Sequence, residues 1–228
     1  IEGLPAGIQI DEQLLNKNMQ RRKPGQGDHV TARKESDAPE ILSGVFEGKS
    51  LGTPITVIVR NADQRSTDYE QIKNAPRIGH ADDVWKSKFG HADHRGGGRS
   101  SGRETLCRVI AGSFAQMLFQ SLNLKTEIFA FAEQIGPHKL TESTELPENI
   151  KAFLSDAKSN GESYGGIVKC RIKKAPQNLG QPIFHKLKSD LASAMIGLGA
   201  VEGFEFGAGF ASANLKGTDF HSAADSVN

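Results

Sequence analysis

The stretch His91-Ala92-Asp93-His94-Arg95-Gly96-Gly97-Gly98-Arg99-Ser100-Ser101-Gly102-Arg103-Glu104-Thr105 concentrates the residues best suited to chemistry. Three consecutive glycines free the backbone to take φ > 0 and to approach a ligand closely. Three arginines and three hydroxyls crowd the same segment. It ends in the pattern of a capping box, with Ser101 capping the backbone of Glu104 and Glu104 reaching back. A flexible cationic loop therefore delivers backbone N–H groups to a helix N-terminus, an arrangement suited to a phosphate-bearing ligand. It is not a Walker A loop, because no Gly-Lys-Ser/Thr follows at the required spacing. Nor does it follow a clean parallel strand, which argues against a dinucleotide fold.

The histidines form a second set. His80 sits in Pro76-Arg77-Ile78-Gly79-His80-Ala81-Asp82, where Asp82 is placed to orient the ring. A histidine titrating near neutrality is a natural proton donor to a developing anion. A competing reading is a metal-dependent hydrolase using His80, His91, Asp93 and His94, with His91 and His94 on one helical face. A third is a non-catalytic anion-binding module. Arg21-Arg22-Lys23 precedes Pro24-Gly25 and reads equally as a solvated face or as a clamp for a carboxylate or phosphate. Gly161-Glu162-Ser163-Tyr164-Gly165 matches the spacing of a hydrolase elbow. That elbow needs a strand before the serine and a helix after it. Here the expected order is reversed, so the segment reads as a turn into a strand.

These residues need a frame. The 228 residues suffice for one large domain or two small ones. Apolar content of 37% with 24% charge describes a soluble globular chain. A net charge of +1 gives no bulk attraction to nucleic acid or membrane. No apolar run approaches the roughly 18 residues of a membrane span, and no signal peptide is visible. Cys107 and Cys170 are too few for a disulfide framework and read as free buried thiols of a reducing compartment. Ile1 at one end and a polar stretch from His221 at the other suggest an internal piece of a longer chain.

Along the chain, Gly3 to Gly7 reads as a turn, and Asp11 caps a short helix through Leu15 and Met19. Arg21 to Gly27 is a basic loop. Ile41 to Phe46 and Ile55 to Val59 read as strands, and Asn61 to Gly79 as irregular. A helix runs from about Gly102 to Leu122, with Leu106, Val109, Ile110, Phe114, Met117 and Leu118 giving one apolar face. Strands are expected at Thr126 to Phe131, Ile167 to Ile172 and Glu202 to Phe206. Helices are expected at Pro147 to Ser159 and Leu187 to Gly197. A similar order of turn, strand and helix in the two halves hints at an internal repeat of helices on antiparallel sheets.

Taken together, the segments resemble the chorismate synthase family. The resemblance rests on Gly3-Leu4-Pro5-Ala6-Gly7, Arg21-Arg22-Lys23-Pro24-Gly25-Gln26, Leu51-Gly52-Thr53-Pro54-Ile55, Asn61-Ala62-Asp63-Gln64-Arg65 with Asp68-Tyr69, Arg77 to Asp82, and above all Gly96 to Thr105. Gly180-Gln181-Pro182-Ile183-Phe184 and Gly203-Phe204-Glu205-Phe206-Gly207 with Gly209-Phe210 continue it in family order. The resemblance implies an α+β fold, a β-α-β sandwich with helices between two antiparallel sheets and an internal pseudo-repeat. Residues 1–228 would form a single such domain, incomplete at both ends.

It also implies a lyase that converts 5-enolpyruvylshikimate-3-phosphate to chorismate and phosphate by anti-1,4-elimination with reduced FMN, the last common step toward the aromatic amino acids. NADPH is a possible source of reducing equivalents, and a homotetramer, cytoplasmic or plastid, is the expected assembly. By the resemblance, His80 is the catalytic histidine beside the flavin. Arg99, Ser100, Ser101, Gly199 and Ala200 contact FMN, while Arg22, Arg77 and Arg103 bind substrate. No metal, nucleic acid or membrane is implied.

Three departures stand out. The family's Gly-Glu-Ser-His-Gly histidine motif is absent, and Tyr164 occupies the histidine's place in its apparent counterpart. Asp28 stands where an arginine is usual, and Ile78-Gly79 replaces Pro-x. On this reading the segment by itself would be inactive.

Overall fold

The computed structural model describes residues 1–23, 36–61, 75–77, 79–93, 101–143 and 145–220. The basic loop beyond Lys23, Asp28, His94, the triple glycine, Arg99 and Ser100 lie outside those residues. So do Ile78 and most of the segment from Asn61 to Gly79.

Helix α1 spans Glu12–Arg22, and Oδ1 of Asp11 accepts from the Leu14 backbone N–H at 2.9 Å. This is the expected N-cap. The helix runs further than expected, because Arg21 and Arg22 form its last turn rather than a loop. Cations there face the negative end of the helix dipole. Leu15 and Met19 point into the core.

Four short strands follow: β1 at Pro39–Ile41, β2 at Val45–Phe46, β3 at Lys49–Ser50 and β4 at Val57–Val59. β1 pairs antiparallel with β4, and β2 with β3. The single strand expected over Ile41 to Phe46 is therefore two pieces. Gly44 breaks it with φ +80, and a Cβ there would come within 2.6 Å of the Pro54 carbonyl oxygen. Only glycine fits that corner.

A short helix not foreseen from sequence, α2, covers Val84–Phe89 and stops at Gly90 in the left-handed conformation. The long helix α3, Thr105–Ser121, is preceded by a 3-10 turn at Gly102–Glu104. Of its expected apolar face, Leu106, Ile110, Phe114 and Met117 are buried, while Val109 and Leu118 are partly buried against the same cluster. These join Leu15, Met19 and Ile55 in one cluster. Each large apolar side chain so buried contributes roughly 1.5–3 kcal/mol. Across the α1–α3 seam, Asn18 donates to Ser113 at 3.0 Å and to Gln116 at 2.8 Å.

A third sheet, of three strands, has order β6-β5-β7, from β5 at Glu127–Ile135, β6 at His138–Lys139 and β7 at Gly166–Lys173, all antiparallel. Helix α4, Glu148–Ser159, starts directly after Pro147, one position later than expected. Its Phe153 ring packs on His138 and on Tyr164. The segment from Gly161 to Gly165 links α4 to β7, so it is a turn into a strand and not a nucleophile elbow.

Both cysteines are exposed, against the expected burial. Cys107 lies just off the buried stripe of α3, and every residue of β7, Cys170 included, is exposed. Among the described residues no helix is long and apolar enough to cross a membrane.

The chain divides into two compact units, Ile1–Ala175 and Pro176–Asn228. The second holds helix α5, Leu187–Ile196, and a 3-10 segment at Gly209–Asn214. Glu202 to Phe206 is irregular rather than a strand. Its aromatic side chains instead meet each other, with Phe204 and Phe206 edge to face. Helices with antiparallel sheets make this an α+β fold.

Candidate functional site

Two constellations in the first unit contain most of the described candidates. The first is built on Asp37, just ahead of β1. Its side chain is 1% exposed, and its backbone has φ 46, a left-handed conformation that aspartate tolerates better than most residues. Arg22, from the last turn of α1, places Nη1 3.1 Å from Oδ2 of Asp37. Arg103, from the 3-10 turn before α3, places Nη2 2.6 Å from Oδ1. Both guanidiniums are largely buried, 19% and 15% exposed.

Further bonds fix each arginine. Arg22 Nε donates to Thr105 Oγ1 at 3.4 Å, and Thr105 in turn donates to the Gly102 carbonyl at 2.9 Å. Arg103 Nη2 also donates to the Arg60 carbonyl at 3.3 Å, at the end of β4. Two guanidiniums held on one carboxylate are of the type that pairs with a phosphate or carboxylate group. Asp37 was not anticipated. Nothing in Ser36-Asp37-Ala38 marks it, since its partners come from distant turns.

Ser101 is the N-cap of the 3-10 turn and accepts from the Arg103 backbone N–H at 3.2 Å. Neither half of the expected capping box forms: the Ser101 hydroxyl takes the Arg103 N–H, and the Glu104 N–H donates instead to the Ser101 carbonyl at 3.1 Å. Glu104 does not reach back; its carboxylate pairs forward with Arg108 at 3.2 Å. The tighter 3-10 turn changes the spacing that the reciprocal bond needs.

The second constellation joins Arg77, Asp82 and His80. Arg77 donates to Asp82 through its backbone N–H at 3.1 Å, Nε at 2.9 Å and Nη2 at 2.9 Å, engaging both carboxylate oxygens. These side-chain bonds hold the Asp82 carboxyl below the usual carboxylate range, and the nearby His80 adds a smaller lowering. Asp82 therefore orients Arg77 rather than the His80 ring. His80 is exposed, and its backbone N–H donates to the Arg77 carbonyl at 3.2 Å.

Gly199 and Ala200 belong to the second unit. They follow α5 in a turn closed by Val201 N–H on the Leu198 carbonyl at 3.3 Å. Ala200 has φ 62, which costs a non-glycine residue about 1 kcal/mol or more. A Cβ added at Gly199 would meet nothing within 4 Å, so its backbone is open to approach.

His91 falls after the Gly90 cap of α2, so the helix that would align it with His94 has already ended. Among the described residues no group of three His, Cys, Asp or Glu side chains is arranged to hold a metal ion.

The comparisons with known proteins agree on one family. The sequence profile described as chorismate synthase matches residues 1–227. A chorismate synthase from Bdellovibrio bacteriovorus is 51% identical, covering 97% of this chain and 71% of its own length. One from Cytophaga hutchinsonii is 46% identical, covering 92% of this chain and 63% of its own. A crystal structure of chorismate synthase superimposes with a TM-score of 0.70 at 26% identity, over 96% of this chain and 66% of that one. The chain thus spans roughly two thirds of the length of the curated relatives it matches. The chain belongs to the chorismate synthase family.

Proposed function

We propose that the protein is a lyase converting 5-enolpyruvylshikimate-3-phosphate to chorismate and phosphate. The observation that supports this best is that Arg103, from the family's glycine-arginine-serine run, shares a buried carboxylate with Arg22. The substrate brings a phosphate and two carboxylates, about four negative charges, and such a ligand needs several fixed guanidiniums. Arg22 and Arg103 bind these groups in the reading offered here. Arg77, braced by Asp82, does the same at a second position.

The family uses reduced FMN, and the candidate contacts each suit such a group. The Ser101 hydroxyl accepts from a backbone N–H and keeps its own proton for an acceptor oxygen. Gly199 presents unobstructed backbone beside the left-handed Ala200. Arg99 and Ser100 complete the set by sequence. When bound, reduced flavin supplies the electron-rich ring that assists departure of phosphate. With the flavin bound, His80 would be the group that donates a proton to, or stabilises, its reduced form.

The same reading takes NADPH as an indirect reductant acting through a separate enzyme. It treats residues 1–228 as one family domain and expects a cytoplasmic homotetramer. The test is anaerobic chorismate formation by the full-length protein with chemically reduced FMN, beside His80→Ala. Turnover by the wild type and a large loss in the variant are expected. A wild type that binds flavin without turnover would end the lyase reading.

A further inference from the structure

We propose that Asp37 is a positioning residue for anion binding, its buried carboxylate fixing the guanidiniums of Arg22 and Arg103 side by side. The inference rests on the reading that these two arginines meet the substrate. Three observations carry it.

First, the geometry is divided. Each carboxylate oxygen takes a different arginine, Oδ2 from Arg22 and Oδ1 from Arg103. One arginine would suffice to neutralise one buried carboxylate. The second arginine therefore does more than neutralise: one carboxylate holds two guanidiniums close together. Second, Arg22 is only partly consumed. Arg22 uses Nη1 on Asp37 and Nε on Thr105, and its Nη2 has no hydrogen-bond partner among the described residues. Third, the anchor is enclosed, since Asp37 is 1% exposed and lies two residues before β1. A guanidinium already held in place loses less freedom on binding an anion than one on a mobile stem.

The left-handed backbone of Asp37 makes asparagine a clean probe, because it also tolerates that conformation. Asp37→Asn keeps shape but puts an amide donor where one guanidinium now donates, so one arginine must turn away. In the full-length protein, the dissociation constant for inorganic phosphate is expected to rise by about tenfold or more. The KM for 5-enolpyruvylshikimate-3-phosphate should rise in step, with a smaller change in kcat and FMN affinity within about twofold. Asp37→Glu should recover part of the phosphate affinity.

Phosphate bound as tightly by Asp37→Asn as by the wild type would overturn the proposal. So would a wild type whose phosphate affinity is indifferent to Arg22→Lys and Arg103→Lys. A wild type without turnover, whose phosphate binding still falls in Asp37→Asn, would sink the lyase reading and support the positioning role. Turnover and KM unchanged in Asp37→Asn would do the reverse. Should the asparagine variant not fold, arginine side-chain NMR on the ligand-free wild type decides. Slow rotation of the Arg22 and Arg103 guanidiniums is expected, and freely rotating ones would overturn the proposal.

Discussion

Arg22 and Arg103 grip opposite oxygens of a single buried carboxylate. Arg22 reaches Asp37 at 3.1 Å from the end of α1, and Arg103 reaches it at 2.6 Å from the turn that begins α3. The contact ties the two helices of the main core together at the ends where the candidate ligand groups lie. It also joins the packing of the core to the chemistry of the site, because α1 and α3 already share the apolar cluster.

Removing one guanidinium leaves Asp37 with a single partner in a site that water barely reaches. Arg103→Met should lower the unfolding free energy of the ligand-free protein by about 2 kcal/mol, the scale of a lost hydrogen bond to a charged group whose other partner remains. Arg22→Met should cost less, since its contact is longer and its side chain slightly more exposed. Urea unfolding of both variants checks the order. Losses below about 0.5 kcal/mol would mean that Asp37 reaches solvent in solution.

What the sequence made legible was mostly local. The Asp11 cap, the stripe Leu106, Ile110, Phe114 and Met117, and the turn from Gly161 to Gly165 follow from residue type and spacing alone, and the structure has them. The misreadings were places where tertiary context decides. Gly44 splits one apolar run into two strands, because its neighbours Pro54 and Ile55 close the corner. Glu202 to Phe206 has strand-like residues but no partner strand among the described residues. Asp37 was invisible for the same reason, as both its partners are distant in sequence. The family resemblance pointed to Arg22, Arg77, Arg103 and His80 as candidates, and it did not say that Asp82 bonds Arg77 rather than orienting His80.

The start of α3 separates two carboxylate and hydroxyl roles. Ser101 caps the Arg103 N–H, whereas Glu104 pairs forward with Arg108 on the surface. Ser101→Ala should therefore cost about 1 kcal/mol of stability, typical of a lost cap. Glu104→Gln should cost no more than about 0.5 kcal/mol, the worth of an exposed helical ion pair. Thermal unfolding of the two variants side by side checks this. Equal costs would indicate that Glu104 reaches back in solution after all.

The Arg77–Asp82 contact makes a pH-dependent contribution of known sign. Hydrogen bonds from Arg77 lower the folded-state pKa of Asp82 below its unfolded value near 4. The contact therefore stabilises the folded chain fully above the ordinary carboxylate pKa, and that contribution is lost as pH falls through the lowered folded value. Carboxyl carbon NMR should find Asp82 titrating below the exposed aspartates. Arg77→Gln should return it toward them. An Asp82 titration indifferent to Arg77→Gln would place the cause elsewhere.

Burial on α3 gives the sharpest contrast between neighbouring positions. Phe114 is 1% exposed within the core cluster, whereas Cys107 is exposed on the same helix. Phe114→Ala removes a ring that the surrounding side chains can only partly replace, and should cost about 3–5 kcal/mol. Cys107→Ala should stay within about 0.5 kcal/mol of the wild type. Denaturant midpoints measure both. The Asp37 cluster does not depend on the Phe114 ring, so Phe114→Ala should keep its phosphate affinity at temperatures where it remains folded. A parallel loss of phosphate binding in the folded variant would show that the seam between α1 and α3, and not Asp37 alone, sets the spacing of Arg22 and Arg103.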